Sequence, residues 1–190
     1  MIPHDEVVDK LRLVKSPTER RLHFSALLAK ASGASTDDFI VVGGSAIEFY
    51  TSGQYTSGDI DIVLTPPHNV AEVLREWRFQ QQGRIWFNEE LGIVVDLVRP
   101  PYTGDLGRTQ VLITPHGRVR IAAIEDLLVK RLASAKHWRR PDDLEHAKLL
   151  ALLYRERIAW DYVEELSETY DVSDLLSSLR KALSESESSG

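Results

Sequence analysis

Apolar residues recur at spacings near three and four from Asp5 to Val14, with Val7, Val8, Leu11 and Val14 on one face, which predicts an amphipathic helix ending around Ser16. Pro17 opens a second helix. Its stripe is Leu22, Phe24, Leu27 and Leu28 between Thr18 and Ala31, and Gly33 with Ser35 closes it. The period then changes: Asp38 to Gly43 is too short for a helix and rich in β-branched residues, so it reads as a buried strand. Ala46 to Ser52 predicts a short helix, Gly53 to Gly58 a polar turn, and Asp59 to Leu64 a second strand that Pro66-Pro67 stops.

A helix from Asn69 to Gln81 follows. Arg84 to Asn88 and Gly92 to Val98 predict two strands joined by a tight turn at Glu89 to Leu91, and Pro100-Pro101 with Gly104 and Gly107 predicts a loop. Thr109 to Thr114 and Arg118 to Ala122 flank Pro115-His116-Gly117 as a second hairpin. The remainder carries helical patterns over Ile124 to Ala135, Asp142 to Tyr154, Trp160 to Glu168 and Val172 to Leu183. The expected class is therefore α+β: N-terminal helices over 1–36, a mixed sheet with flanking helices over 37–122, a helical lobe over 123–183 and a polar, disordered tail over 184–190.

Composition narrows the chemistry. The 190 residues are 43% hydrophobic and 27% charged, which is enough for a packed core and unlike a disordered chain. No apolar run approaches the roughly 20 residues that span a bilayer, and the N-terminus lacks the layout of a signal peptide, so the expectation is a soluble, cytoplasmic protein with no membrane partner. Zero cysteines exclude disulfides, thiolate metal sites and cysteine nucleophiles. A net charge of -6 argues against a protein that coats nucleic acid without specificity, although a local basic patch escapes that argument.

Asp59 and Asp61 lie two apart on a predicted strand, so both carboxylates leave the same face, while Ile60 and Ile62 point into an apolar layer. Taken alone, the pair reads more readily as a solvated strand face. Asp96 sits inside the run Ile93-Val94-Val95-Asp96-Leu97-Val98, where a carboxylate is costly unless paired. Either Arg84 or Arg99 neutralises it, or it joins Asp59 and Asp61 around a divalent cation. Oxygen ligands without thiols suit Mg²⁺ or Mn²⁺. Upstream, Gly43, Gly44 and Ser45 run from strand into helix, where backbone N–H groups and a hydroxyl can receive a phosphate, although such a glycine pair taken alone is more often just a tight turn. A phosphate cradle, a two-carboxylate strand and a third carboxylate on a later strand are the equipment of metal-assisted phosphoryl or nucleotidyl transfer.

With those residues in place, the chain resembles the nucleotidyltransferases of the DNA polymerase β type. The matching features are the turn Val42-Gly43-Gly44-Ser45, a 13-residue gap from Ala46 to Gly58, the pair Asp59-Ile60-Asp61 and the later Asp96. Among small prokaryotic members it is similar to the AbiEii-like nucleotidyltransferase toxins, whose Lys-x-x-Ala-x(5)-Arg helix is matched by Lys130, Ala133 and Arg139, with Asp142 and Asp143 following. Phe49 and Thr56 stand where those toxins commonly carry arginine. The resemblance implies a minimal nucleotidyltransferase core. It further implies Asp59, Asp61 and Asp96 as metal ligands and catalytic residues, and Gly43, Gly44, Ser45, Lys130 and Arg139 as nucleotide-binding residues. The implied substrates are a nucleoside triphosphate with an RNA (tRNA) 3′ end or a protein side chain as acceptor, and the implied partner is a cognate antitoxin. The alternative is a non-catalytic nucleotide- or partner-binding module that keeps the fold.

The stretch Lys130 to Arg140 holds Lys130, Arg131, Lys136, Arg139 and Arg140 and no acid, which is a local anion site in an acidic chain, or else a solvated face paired with Glu125, Asp126, Asp142 and Asp143. Pro141 disfavours helix at Arg140, which would leave Arg139 on a turn. His137 and Trp138 read as a helix end that could stack on a base, His116 as a turn residue, Trp77, Trp86 and Trp160 as packing, and Glu89-Glu90 as a solvated turn.

Overall fold

The N-terminal helices owe their ends to local chemistry. Helix α1 (His4–Arg12) buries Val7, Val8 and Leu11 and places Asp5 and Glu6 in its first turn and Lys10 and Arg12 in its last, complementing the helix dipole. Helix α2 (Pro17–Ser32) starts with Ser16 accepting from the Glu19 N–H at 3.3 Å and ends at Gly33, whose φ of 72° is left-handed. These positions come from a computed structural model that describes residues 2–65 and 69–187. The Pro66-Pro67 stop expected after the second strand lies outside the described residues.

Among the described residues, eight helices and a seven-stranded mixed sheet make an α+β architecture. The chain divides after Ala122 into two compact units. In the first unit, β1 (Phe39–Val41) leads into α3 (Gly43–Tyr50), and β2 (Ile60–Leu64) is followed by α4 (Val70–Glu76), β3 (Gln80–Gln82), β4 (Ile85–Asn88) and β5 (Ile93–Val98). A 3-10 turn (Leu106–Arg108) precedes the hairpin of β6 (Gln110–Thr114) and β7 (Gly117–Ile121). The strand order is β3-β4-β5-β2-β1-β7-β6, with β2–β5 and β1–β7 parallel and the other pairs antiparallel.

One face of this sheet makes the core. Ile60, Ile62 and Val95 are fully buried, and α2 packs against β7 and α4, bringing Phe24 edge-on to Trp77 at 5.8 Å and against Phe79 at 5.4 Å. The same contacts shorten the helix expected from Asn69 to Gln81. Trp77 and Phe79 are both buried, yet two residues apart on a helix they would point in nearly opposite directions. The chain therefore leaves the helix at Trp77, turns through Arg78 at a φ of 61°, and lays Gln80 to Gln82 along β4 as an exposed edge strand. Helix α3 begins at Gly43, three residues before the expected Ala46.

The second unit consists of α5 (Ile124–His137), α6 (Pro141–Tyr154), α7 (Trp160–Thr169) and α8 (Ser173–Glu187). Asp143 of α6 is buried and accepts from Arg131 of α5 at 2.7 Å and from Ser134 of α5, which locks the two helices together. Glu125 accepts the Ala159 N–H at 3.0 Å, and Tyr162 donates to Asp126 at 3.2 Å, so the start of α5 also anchors α7. Helix α8 continues through Ser184 to Glu187, where a disordered tail was expected, because the chain carries no helix-breaking residue there; residues 188–190 lie outside the described residues. Among the described residues no helix is long and apolar enough to cross a membrane.

Candidate functional site

Sheet register builds the site. On β2, alternation sends Ile60 and Ile62 into the core and Asp61 to the opposite face. Asp96 is the direct partner of Asp61 on parallel β5, and Asp59 lies one residue before β2. Each of the three offers a carboxylate oxygen, and these oxygens lie within 4.8 Å of one another. Three anions at that spacing repel unless a cation or protons intervene.

Asp96 is the most constrained of the three. It is 4% exposed; its Oδ2 accepts from the Arg84 guanidinium at 2.8 Å, while its Oδ1 is buried with no hydrogen-bond partner. Burial pushes its carboxyl up from the ordinary value, Arg84 opposes the shift, and Asp59 adds to it. The salt-bridge reading of Asp96 holds for Arg84, which pairs with one oxygen, while the other oxygen is buried without a hydrogen-bond donor. Arg84 itself is two-thirds exposed and free of any such enclosure.

The glycine turn wraps Asp61. Gly43 has a φ of 59°, and a Cβ there would stand 2.8 Å from Asp61 Cγ, so only glycine lets the turn approach the carboxylate this closely. The Gly44 N–H donates to Asp61 Oδ2 at 3.1 Å. Ser45, expected to donate to a phosphate, is fully buried. Its Oγ donates to Val42 O and accepts the Asp61 N–H, both at 3.0 Å, which spends its one proton on the backbone. Ser45 therefore fixes β2 against α3 and positions Asp61.

A second buried carboxylate supports Asp59. Glu48 of α3 is fully buried and accepts from Thr18 Oγ1 at 2.7 Å, from Arg21 at 2.5 Å and from the Ser57 N–H at 2.8 Å. Arg21 also donates to Ser57 O at 2.6 Å, and Ser57 Oγ reaches Asp59 Oδ1 at 3.4 Å. Through these bonds α2 and α3 hold the loop that delivers Asp59. Sequence reasoning missed Glu48 and Arg21, although the signal was present: Glu48 interrupts Ala46-Ile47-Glu48-Phe49-Tyr50 just as Asp96 interrupts β5.

Phe49 is buried and Thr56 exposed. Lys130 and Arg139 belong to the second unit. Lys130 is half-buried on α5, where burial lowers its pKa against the opposing attraction of Asp126. Arg139 is exposed beyond the end of α5, at a φ of 53°, so the helix stops before it. Arg131 and Lys136 are committed to ion pairs, with Asp143 and with Asp171 and Asp174. His137 bonds to Tyr170 O at 2.9 Å, and Trp138 is 72% exposed. Trp77 and Trp86 are core residues, Trp160 donates to Arg155 O, and His116 sits on its hairpin edge-on to His23. No protein-family model matches the chain, and no curated protein matches it in sequence.

Proposed function

We propose that this protein is a metal-dependent nucleotidyltransferase that moves a nucleoside monophosphate from a nucleoside triphosphate to a hydroxyl, forming a phosphodiester bond as the α–β phosphoanhydride bond breaks and pyrophosphate leaves. The observation that carries the reading is the pairing of Asp61 with Asp96 across parallel strands, with Asp59 beside them and one buried Asp96 oxygen unpartnered. The residues fit a hard divalent cation: the donors are all oxygens, they converge, and one buried carboxylate oxygen has no hydrogen-bond partner. Asp59, Asp61 and Asp96 would hold Mg²⁺ or Mn²⁺, which when bound offsets the charge of the phosphate oxygens.

The chain's own residues supply the rest. Asp96, the buried member of the three, would be the base that takes the proton of the attacking hydroxyl. Gly44 and Ser45 hold Asp61 in place, and the Glu48–Arg21–Ser57 set holds Asp59. Lys130 and Arg139 are the anion ligands that the sequence resemblance suggests. The acceptor in this reading is an RNA 3′ end, such as that of tRNA, or a protein side chain, and the setting is the toxin half of a toxin–antitoxin pair.

One observation favours a second reading, a nucleotide- or partner-binding module without turnover. The groups expected to cradle phosphate are engaged internally, the Gly44 N–H by Asp61 and the Ser45 hydroxyl by Val42. The two readings part in one experiment. The protein is incubated with each α-labelled nucleoside triphosphate, Mg²⁺ or Mn²⁺, and total RNA with protein extract, beside Asp59→Asn and Asp61→Asn. Label entering RNA or protein with wild type alone supports transfer; equal label with the variants sinks it; nucleotide binding without label favours the module.

A further inference from the structure

The two edges of the sheet are built differently. At one end β3 offers three glutamines, all exposed, which is a short polar edge that discourages pairing. At the other end β6 offers five residues, Gln110-Val111-Leu112-Ile113-Thr114, with no charge and no proline, and among the described residues no strand pairs with its outer side. Val111 is 39% exposed and Ile113 78% exposed, on the same face of the strand.

The backbone of β6 selects a partner. The two-residue turn Pro115-His116 makes Thr114 and Gly117 the closing pair of the hairpin, so Thr114, Leu112 and Gln110 exchange hydrogen bonds with β7. Alternation leaves the N–H and C=O of Val111 and Ile113 directed outward. An antiparallel copy of β6 centred on Leu112 places Val111 against Ile113 and Ile113 against Val111, so those four residues exchange N–H···O=C bonds across a two-fold axis. The same register sets Gln110 against Thr114, polar against polar, and gathers four β-branched side chains into one apolar cluster. The charges nearest the cluster, Arg118 and Arg120 of each copy, are the cross-strand partners of Ile113 and Val111 on β7, one strand removed from the axis, so no like charges meet at the seam.

We propose that β6 is a homodimer interface, at which two copies of this chain join their sheets edge to edge through Val111 and Ile113. The second copy satisfies the outward backbone groups and covers the exposed Val111 and Ile113, with apolar residues set against apolar and polar against polar.

The absence of cysteine makes the register directly testable. Leu112 faces itself across the axis at a non-hydrogen-bonded pair, where Cα atoms stand about 4.5 Å apart, close enough for a disulfide. Gln110 lies four register steps from its own copy, about 14 Å away. Full-length Leu112→Cys and Gln110→Cys are oxidised mildly and run on non-reducing gels, and wild type, Ile113→Lys and Gln81→Lys are compared by sedimentation equilibrium. The expected result is near-complete disulfide dimer for Leu112→Cys and at least a tenfold smaller yield for Gln110→Cys. Wild type and Gln81→Lys sediment as dimers, and Ile113→Lys as a monomer with an unchanged circular dichroism spectrum. A monomeric wild type, equal cross-linking of the two cysteine variants, or a dimer that Ile113→Lys leaves intact would each overturn the proposal.

Discussion

Asp61 and Asp96 stand directly opposite one another on neighbouring parallel strands, so their carboxylates leave the sheet side by side, and Arg84 touches Asp96 at Oδ2. A divalent cation held by these acids would meet the positive charge of Arg84 at the same carboxylate. Replacing that charge by Arg84→Met should tighten Mn²⁺ binding by about two- to fivefold, the size expected of an exposed charge interaction. Asp96→Asn should abolish it. Titration of bound Mn²⁺ by electron paramagnetic resonance reads both, and weaker binding by Arg84→Met would mean that the arginine helps to hold the site open.

Glu48 is the counter-charge of Arg21, and both are withdrawn from water. Glu48→Gln keeps the shape but leaves the guanidinium without an anion, so a loss of about 3 kcal/mol is expected in urea denaturation. Thr18→Val removes a single hydrogen bond to the same carboxylate and should cost about 2 kcal/mol. Because Glu48 also holds the Ser57 N–H and Ser57 touches Asp59, Mn²⁺ affinity should fall with Glu48→Gln. Full-strength Mn²⁺ binding by a destabilised Glu48→Gln would separate this network from the site.

Gly43 and Gly33 share a left-handed backbone, with φ of 59° and 72°, but differ in what surrounds them. A Cβ at Gly33 meets nothing within 4 Å, whereas one at Gly43 runs into the Asp61 carboxylate. Gly33→Ala should therefore cost only the backbone term, about 1–2 kcal/mol. Gly43→Ala adds overpacking, for roughly 2–5 kcal/mol in all, and displaces Asp61. Thermal denaturation with and without Mn²⁺ distinguishes them. On the proposed function, Mn²⁺ should raise the midpoints of wild type and Gly33→Ala alike, and leave that of Gly43→Ala unmoved.

Periodicity located most elements because each buries one face. The stripe Val7, Val8 and Leu11 and the alternation of Ile60 and Ile62 are both local patterns, and both are met in the structure. What failed was decided by contacts distant in sequence. Nothing between Asn69 and Gln81 announces that Phe79 must meet Phe24 of α2, and that meeting ends the helix at Trp77. The Asp59, Asp61 and Asp96 cluster was legible because a carboxylate in an apolar run demands an explanation. Its register was not, since spacing along the chain says nothing of whether Asp61 faces Asp96 or a neighbour. Ser45 shows the converse limit: a hydroxyl beside two glycines suggested an anion ligand, while the antiparallel pairing of β2 with β1 turned it onto the backbone of Val42 and Asp61.

Asp143 ties α6 to α5, and its titration sets a pH window for the second unit. Burial pushes its carboxyl up, but hydrogen bonds from Ser134, Arg131 and His146, with the charge of Arg131, outweigh that and hold it below the ordinary carboxylate value. The folded chain thus binds this proton more weakly than the unfolded chain does. Its stabilising contribution is full above the unfolded-state value near pH 4 and is lost as pH falls through the lower folded-state value. Asp143→Asn should cost about 2–3 kcal/mol at neutral pH, less than a wholly dry pair because Arg131 keeps some contact with water. The gap between wild type and variant should hold steady from pH 7 to about pH 4 and close below it. Parallel urea titrations at a series of pH values measure that gap, and a difference that widens in acid would show that the carboxylate is not what joins the two helices.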